Sequence, residues 1–188
     1  NKGIDKATGD YLLFLNSGDW LVDREAIECV EPKKFNTDII ACNIEVIGES
    51  RRFIKSPPKI IRFSYLYNDT LPHQSTFIKK NLFDRMGNYD ENLLIAADWK
   101  FFIQAICKFN ASYSHIDKVL SFYNLEGLSA QKENMIRLKM EREVALRIEF
   151  SAHLNDMEDL KELNSTVVNL RRYRWIKLLV KFGLINKF

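Results

Sequence analysis

The sequence has few cysteines: Cys29, Cys42 and Cys107 are the three in 188 residues. They are odd in number and far apart, and their spacing is typical of neither a disulfide framework nor a zinc site. The chain also contains no internal repeat and no low-complexity segment. These observations indicate a chain that folds on an apolar core in a reducing cytoplasm.

Long apolar runs are absent as well. No run approaches the roughly 20 residues that a membrane-spanning helix needs, and the beginning of the chain has no signal-peptide pattern. We therefore expect a soluble or surface-bound protein. The chain opens on Asn1 rather than Met, already inside a helical pattern, so we expect it to be either processed or a piece of a longer protein.

Charge is balanced overall but unevenly distributed. The formal net charge of +3 is too small to indicate nucleic acid or membrane binding by itself, and 46% apolar with 28% charged residues is ordinary globular composition. Residues 1–130 contain 16 Lys/Arg and 17 Asp/Glu, whereas residues 131–188 contain 12 and 8. The basic character therefore lies in the C-terminal part.

The first twenty residues combine a short helix, a strand and a polar turn. Gly9 follows the helical residues, and Tyr11 to Leu15 is an apolar run that predicts a five-residue strand buried on both faces. Asn16-Ser17-Gly18-Asp19 then lies past the carboxyl end of this strand, where open α/β sheets bind ligands. A carboxylate there can hold a cation, and a glycine lets a ligand approach the backbone.

The rest of the chain predicts an alternation of strands and helices, followed by helices only. The pattern predicts helices at 23–30, 81–86 and 96–109, an antiparallel pair of strands at 37–47 and 51–55, further strands at 75–78, 112–115 and 119–123, and helices from 131 to the end. The segment 60–67 is apolar without a clean period. In the helix at 96–109, Trp99, Phe102, Ile103 and Ile106 share one face, which we expect to pack on the sheet.

Three further clusters could carry chemistry, and each has a plainer explanation. His73-Gln74 precedes a predicted strand, where a histidine is often only a hydrogen-bonded structural residue. Asp98 opens the amphipathic helix, where the exposed N–H groups and the helix dipole would favour a carboxylate without any catalysis. The segment from Phe122 to Ser129 ends in Gly127-Leu128-Ser129, whose N–H groups and hydroxyl could meet phosphate oxygens, although a turn explains it equally well.

Together these clusters resemble the family 2 glycosyltransferases of the GT-A fold. The resemblance rests on the Asn1-x-Gly3 helix, the Ala7-Thr8-Gly9-Asp10-Tyr11 strand entry, the acidic turn, the His-Gln dipeptide, the Gly-x-Tyr-Asp loop before Asp98 and the Gly-x-Ser ending, all in the family's order within residues 1–129. It implies an α/β fold: the C-terminal part of a GT-A, Rossmann-like mixed sheet with flanking helices, followed by a helical tail. The expected domains are a partial glycosyltransferase domain at 1–130 and the tail at 131–188, without the N-terminal strands that bind the nucleotide.

The resemblance also implies a role for each site residue. Asp98 would be the catalytic base, Asp19 would hold Mn²⁺ or Mg²⁺, Asn16, His73 and Gln74 would line the substrate site, and Gly127 and Ser129 would contact phosphate. A base is required because the acceptor hydroxyl loses a proton as it attacks the anomeric carbon. The family's usual turn is Asp-x-Asp-Asp, and here its first and third positions are Asn16 and Gly18.

The expected function is sugar transfer with inversion, from a nucleotide-sugar donor to a glycan or lipid-linked acceptor. We expect a bacterial protein of surface-polysaccharide biosynthesis that is cytoplasmic and peripheral at the inner face of the cell membrane. Residues 171–188 contain six Lys/Arg and no acidic residue, and these cations lie beside an apolar helical face. This pattern suits an anionic membrane surface, but a terminal helix packed on the domain explains it too. Nucleic acid is not expected as a partner of the enzyme. The rival hypothesis is a non-catalytic binding module whose basic tail docks on a membrane or nucleic acid.

Overall fold

The structure is a computed structural model that describes residues 1–28, 30, 36–48, 51–124 and 132–184. The chain forms two compact units, residues 1–143 and 144–188. The domain boundary expected near residue 130 stays a prediction.

In the part of the first unit that the structure describes, six strands form one mixed sheet. The strands are β1 (Tyr11–Leu12), β2 (Trp20–Leu21), β3 (Ile39–Ile47), β4 (Arg52–Lys55), β5 (Thr76–Lys79) and β6 (Tyr113–Asn124). They lie in the order β1-β5-β3-β6-β2, with β4 also paired to β3. The pair β3–β6 is parallel and every other pair is antiparallel.

Strand β3 is the centre of the sheet because its sequence is apolar and rich in β-branched residues. Its first four residues, Ile39 to Cys42, are fully buried. The predicted antiparallel pairing with the next strand is confirmed, with Ile44 opposite Lys55 and Ile47 opposite Arg52.

The strands predicted at 112–115 and 119–123 form one continuous strand, β6, so the break predicted between them is wrong. Cys42 pairs with Ile116 and Asn43 with Val119, so the polar pair between them, Asp117-Lys118, is taken up as a bulge within the strand. The Asn43 amide donates a 2.8 Å hydrogen bond to Asp117, which gives the bulged carboxylate a partner. The polar dipeptide therefore bends the strand without ending it.

Two predictions near the N-terminus are also wrong. The strand expected at residues 11–15 is only Tyr11–Leu12, pairs with β5 alone, and leaves Leu15 42% exposed. Beyond its end, the Phe14 ring packs against Tyr89, at 5.3 Å between ring centroids. In place of the helix expected at 23–30, the described residues 24–28 form turns, in which Glu28 N–H bonds to Glu25 O at 2.9 Å, three residues back.

Among the described residues up to residue 124, the helices are α1 (Lys2–Lys6), α2 (Phe63–Asn68), α3 (Lys80–Met86) and α4 (Ala97–Cys107), and His73–Ser75 forms a 3₁₀ turn. Helix α3 ends at Gly87, whose φ of 88° suits only glycine. The predicted core face of α4 is confirmed for Trp99, Phe102 and Ile103, which are fully buried, whereas Ile106 is only partly buried. The indole Nε1 of Trp99 also donates a 2.6 Å hydrogen bond to Leu66 O, which ties α4 to α2.

Three helices follow: α5 (Lys132–Glu149), α6 (Ser151–Arg172) and α7 (Arg174–Lys181). Tyr173, with φ −69° and ψ 128°, separates α6 from α7. Among the residues that the structure describes, no helix is long and apolar enough to cross a membrane. The expected class, a mixed α/β sheet with flanking helices and a helical C-terminal part, is confirmed.

Candidate active site

The structure joins three residues from separate predicted clusters in one hydrogen-bonded chain. Asn16 lies in the turn after β1, His73 opens the 3₁₀ turn, and Asp98 lies in the first turn of α4. The Asn16 amide nitrogen is 2.9 Å from His73 Nε2, and His73 Nδ1 is 3.0 Å from Asp98 Oδ2. Sheet topology brings these residues together across 57 and 25 positions of sequence.

The Asn16 contact decides which ring nitrogen of His73 carries the proton. The amide nitrogen can only donate, so Nε2 must accept. In a neutral imidazole the proton then resides on Nδ1, which donates to the Asp98 carboxylate. The histidine is thus held as a donor to Asp98, with its ring orientation fixed at both nitrogens.

The Asp98 carboxylate remains accessible. Its Oδ1 accepts the Trp99 N–H at 2.7 Å and its Oδ2 accepts from His73, yet the side chain is 27% exposed. Ala96 is the N-cap of α4 and the helix begins at Ala97, so Asp98 lies inside the first turn rather than at the cap position. The carboxylate is therefore partly open to solvent.

The start of α4 is capped from another element. The Glu141 carboxylate on α5 accepts the N–H groups of Leu94, Ile95 and Ala96 at 3.1, 3.0 and 2.9 Å, and the Nε of Arg137 at 2.9 Å. Burial acts to raise the pKa of Glu141, but the hydrogen bonds from Arg137 and these backbone groups lower it below its usual value. Sequence reasoning missed this residue. The available signal was the absence of Ser, Thr, Asp or Asn at the N-cap of a well-defined helix.

The next residue, Arg142, also reaches the start of α4. Its guanidinium lies over the Trp99 ring, 5.0 Å from the ring centroid. Burial lowers the pKa of Arg142, and the negative charges of Asp98 and Asp69 act in the opposite direction. Sequence reasoning missed this residue too, because Arg142 resembles the many solvated charges of a long polar helix.

The Tyr89 hydroxyl is close enough to Asp98 to be affected by its charge. Burial, and then the negative charge of Asp98, raise the pKa of the Tyr89 hydroxyl. Its backbone is held by the side-chain amide of Asn1, whose nitrogen donates to Tyr89 O at 2.9 Å and whose oxygen accepts from Tyr89 N–H at 3.1 Å. The loop before α4 is therefore fixed from the N-terminus as well as from α5.

Gln74 adjoins this chain and makes a structural contact. The residue is buried, and its backbone carbonyl accepts a 2.9 Å hydrogen bond from Ser121 on β6. The Ser121 hydroxyl is also 2.6 Å from the Ser75 hydroxyl. The role of Gln74 in a sugar site stays a prediction.

Asp19 lies in a tight turn between β1 and β2. Asp19 N–H bonds to Asn16 O at 3.1 Å, and Gly18 has a φ of 94°, which this turn requires. Within the described residues, no three His, Cys, Asp or Glu side chains come together as a metal site. One carboxylate is still compatible with Mg²⁺ or Mn²⁺ bound mainly by substrate phosphates, so the metal role of Asp19 stays a prediction.

Gly127 and Ser129, predicted to contact phosphate, lie outside the described residues. Their role also stays a prediction.

Known proteins that resemble the chain are glycosyltransferases. No protein-family model matches it. The chain is 30% identical over 162 residues to a PGL/p-HBAD biosynthesis glycosyltransferase of Mycobacterium bovis, covering 79% of this chain and 59% of that relative. It is 31% identical over 111 residues to an uncharacterized glycosyltransferase of Mycobacterium tuberculosis, covering 56% of this chain and 42% of the other.

Among solved structures, the crystal structure of S. aureus TarS matches 66% of this chain and 23% of that chain, with 19% sequence identity and a TM-score of 0.47. The chain spans 59% of the length of the Mycobacterium bovis glycosyltransferase that it matches. The sequence similarities support a glycosyltransferase.

Proposed function

We propose that this chain is the catalytic and acceptor-binding part of an inverting family 2 glycosyltransferase of the GT-A type. It would transfer a sugar from a nucleotide-sugar donor to a glycan or lipid-linked acceptor at the cytoplasmic side of the membrane. The observation that carries the proposal is the hydrogen-bonded chain from Asn16 through His73 to the accessible carboxylate of Asp98. The glycosyltransferase relatives support the same class.

In this reaction Asp98 is the general base. The acceptor O–H bond breaks as the proton passes to the carboxylate, and the acceptor oxygen forms a bond to the anomeric carbon. The bond between that carbon and the phosphate oxygen breaks on the opposite face, and its electron pair leaves with the nucleoside diphosphate. Attack and departure on opposite faces invert the configuration.

Asn16 and His73 act as positioning residues for the base. The His73 Nδ1–H group fixes the orientation of the carboxylate, and the Asn16 contact keeps the proton on that nitrogen. A carboxylate fixed before the acceptor arrives loses little entropy on reaching the reactive geometry.

The donor would bind on the side of the Asn16–Asp19 turn. Asp19 would hold Mn²⁺ or Mg²⁺ on the donor phosphates, where the cation stabilises the departing negative charge. Gln74 would border the sugar, and Gly127 with Ser129 would contact phosphate oxygens. Support for these roles comes from the resemblance of the motifs.

Helix α7 supports a peripheral membrane location. Trp175, Leu178, Leu179 and Phe182 are exposed, with Trp175 at 77% and Phe182 at 71%, and Lys177 and Lys181 lie on the same short helix. An apolar face with adjoining cations fits the interface of an anionic bilayer. The rival non-catalytic binding module is favoured by no observation here, because the relatives are named as transferases.

The test of this function is an Asp98→Asn variant in the full-length protein. We expect kcat to fall by about a hundredfold or more with little change in donor affinity, because the amide cannot accept the proton. Asp84→Asn is the matched control, since Asp84 is an exposed carboxylate on α3. Activity of Asp98→Asn within a few-fold of wild type would contradict the assignment of the base.

A further inference from the structure

Arg142 presents a charge that the described part of the chain does not neutralise by a direct contact. Its Nε atom is buried and has no hydrogen-bond partner among the described residues. Asp98 and Asp69 attract the guanidinium electrostatically, but neither forms an ion pair with it. Asp69 is instead bound by Lys55 at 2.5 Å, and Asp98 by His73 at 3.0 Å. A half-buried guanidinium without an anionic partner is costly unless a ligand supplies one.

The position of Arg142 is fixed by its neighbours. Glu141, the preceding residue, is held to the backbone of 94–96 by three hydrogen bonds, and Arg142 itself stacks on the buried Trp99 ring. Trp99 directly follows Asp98 in α4. The guanidinium is therefore presented beside the base on a rigid support, and its planar donors suit phosphate oxygens.

We propose that Arg142 binds a phosphate group of a substrate at the active site. This inference rests on the proposed function, because that reaction brings phosphate to Asp98. Two sources share this chemistry: the diphosphate of the donor and a phosphate carried by the acceptor. The phosphate oxygens would accept from the accessible part of the guanidinium, which would place a positive charge next to the leaving group or the acceptor.

The experiment is a calorimetric titration of the 188-residue chain, with inorganic pyrophosphate in one arm and glycerol phosphate in the other. Arg142→Met should weaken binding by about tenfold or more, because a charge-assisted contact is lost. Methionine retains a favourable contact with the Trp99 ring, so packing is largely preserved. Arg142→Lys should give an intermediate affinity, because lysine keeps the charge without the planar fork.

Two controls separate binding from folding. Arg85→Met removes an exposed arginine that bonds to Phe109 O at 3.3 Å, and it should leave both affinities unchanged. A Trp20→Phe, Trp175→Phe background leaves Trp99 as the fluorophore, so its emission reports both the phosphate titration and the unfolding midpoint of each variant.

The outcomes are distinct. Loss of pyrophosphate binding in Arg142→Met assigns the donor diphosphate, and loss of glycerol phosphate binding alone assigns the acceptor; either supports the proposal. Unchanged affinities in a folded Arg142→Met variant, or no binding of either probe by the wild-type chain, would overturn it. Since sugar transfer is not measured, failure of the proposed glycosyltransferase function would show separately, in the Asp98 assay of the full-length protein.

Discussion

Replacing Glu141, which lies on α5, should destabilise the first unit by uncapping the start of α4. Glu141→Ala would remove the acceptor of three backbone N–H groups at the start of α4. The Glu141 side chain is only 10% exposed, so water cannot easily take its place. Ala96, at the N-cap, has no side chain that could accept in its stead.

The expected loss of folding free energy depends on which of the three N–H groups water can reach after the substitution. Leu94 is an exposed residue, so its N–H group can bond to water after the substitution, whereas Ile95 N–H and Ala96 N–H are less accessible. Two lost bonds to a carboxylate, partly offset by relaxation of the loop, give about 2 to 3 kcal/mol. That is a large part of the roughly 5 to 15 kcal/mol that stabilises a typical domain.

The measurement is urea unfolding followed by tryptophan fluorescence. Trp99 is fully buried in the first unit, whereas Trp20 and Trp175 are already exposed, so the change in emission reports mainly the unfolding around α4. Glu28→Ala is the control, because Glu28 is an exposed glutamate in a turn and should change the free energy of unfolding by less than about 0.5 kcal/mol. A Glu141→Ala variant as stable as the Glu28→Ala control would refute the capping argument.

The same contact predicts a pH dependence. Because the pKa of Glu141 is lowered in the folded protein, its contribution is complete above the unfolded value of about 4.3 and is lost as the pH falls through the folded value. The stability difference between wild type and Glu141→Gln should therefore be largest near neutral pH and shrink on acidification below about pH 4. A difference that is constant from neutral to acid pH would mean that the carboxylate charge is not involved.

Two further predictions concern the metal and the membrane. Asp19→Ala should abolish any metal dependence of nucleoside diphosphate binding. If wild type and variant bind the nucleotide equally well, with and without a chelator, Asp19 does not hold a metal. The chain should co-sediment with anionic vesicles but not with neutral ones, because each cation near anionic lipid contributes about 1 kcal/mol, and salt should weaken this binding. Co-sedimentation that survives deletion of residues 171–188 would show that α7 is not the anchor.

Patterns local in sequence predicted much of the fold. The core face of α4 follows from helical spacing, the β3–β4 pair from β-branched residues around a turn, and the end of α3 from Gly87. The errors occurred where tertiary contacts override local pattern. Phe14 lies beyond the end of the strand and packs against Tyr89, and the polar pair Asp117-Lys118 is absorbed as a bulge because Asn43 on the neighbouring strand provides a hydrogen bond.

The site was predictable only in part. Asp98, His73 and Asn16 were singled out by resemblance to family motifs, whereas their hydrogen bonds to one another depend on the sheet topology, which no local pattern contains. Glu141 and Arg142 carry no such motif. Their importance arises from where α5 contacts the start of α4, and one polar residue on a long helix does not differ in sequence from its solvated neighbours.

The parallel pairing of β3 with β6 has a consequence for how the protein is made. Ile39 pairs with Tyr113 and Ile47 with Asn124. The full pairing of β3 with β6 can therefore form only after residue 124 has been synthesised. At bacterial and eukaryotic elongation rates this takes roughly 4 to 15 s after β3 is complete. During that time β4 can pair with Ile44 to Ile47, and β5 can pair with Ile39 to Ala41 once residue 79 has been made, but the opposite edge of β3, which β6 will cover, stays open. The nascent chain therefore exposes a β-branched edge that favours aggregation, and we expect its folding yield to depend on chaperones and on translation speed.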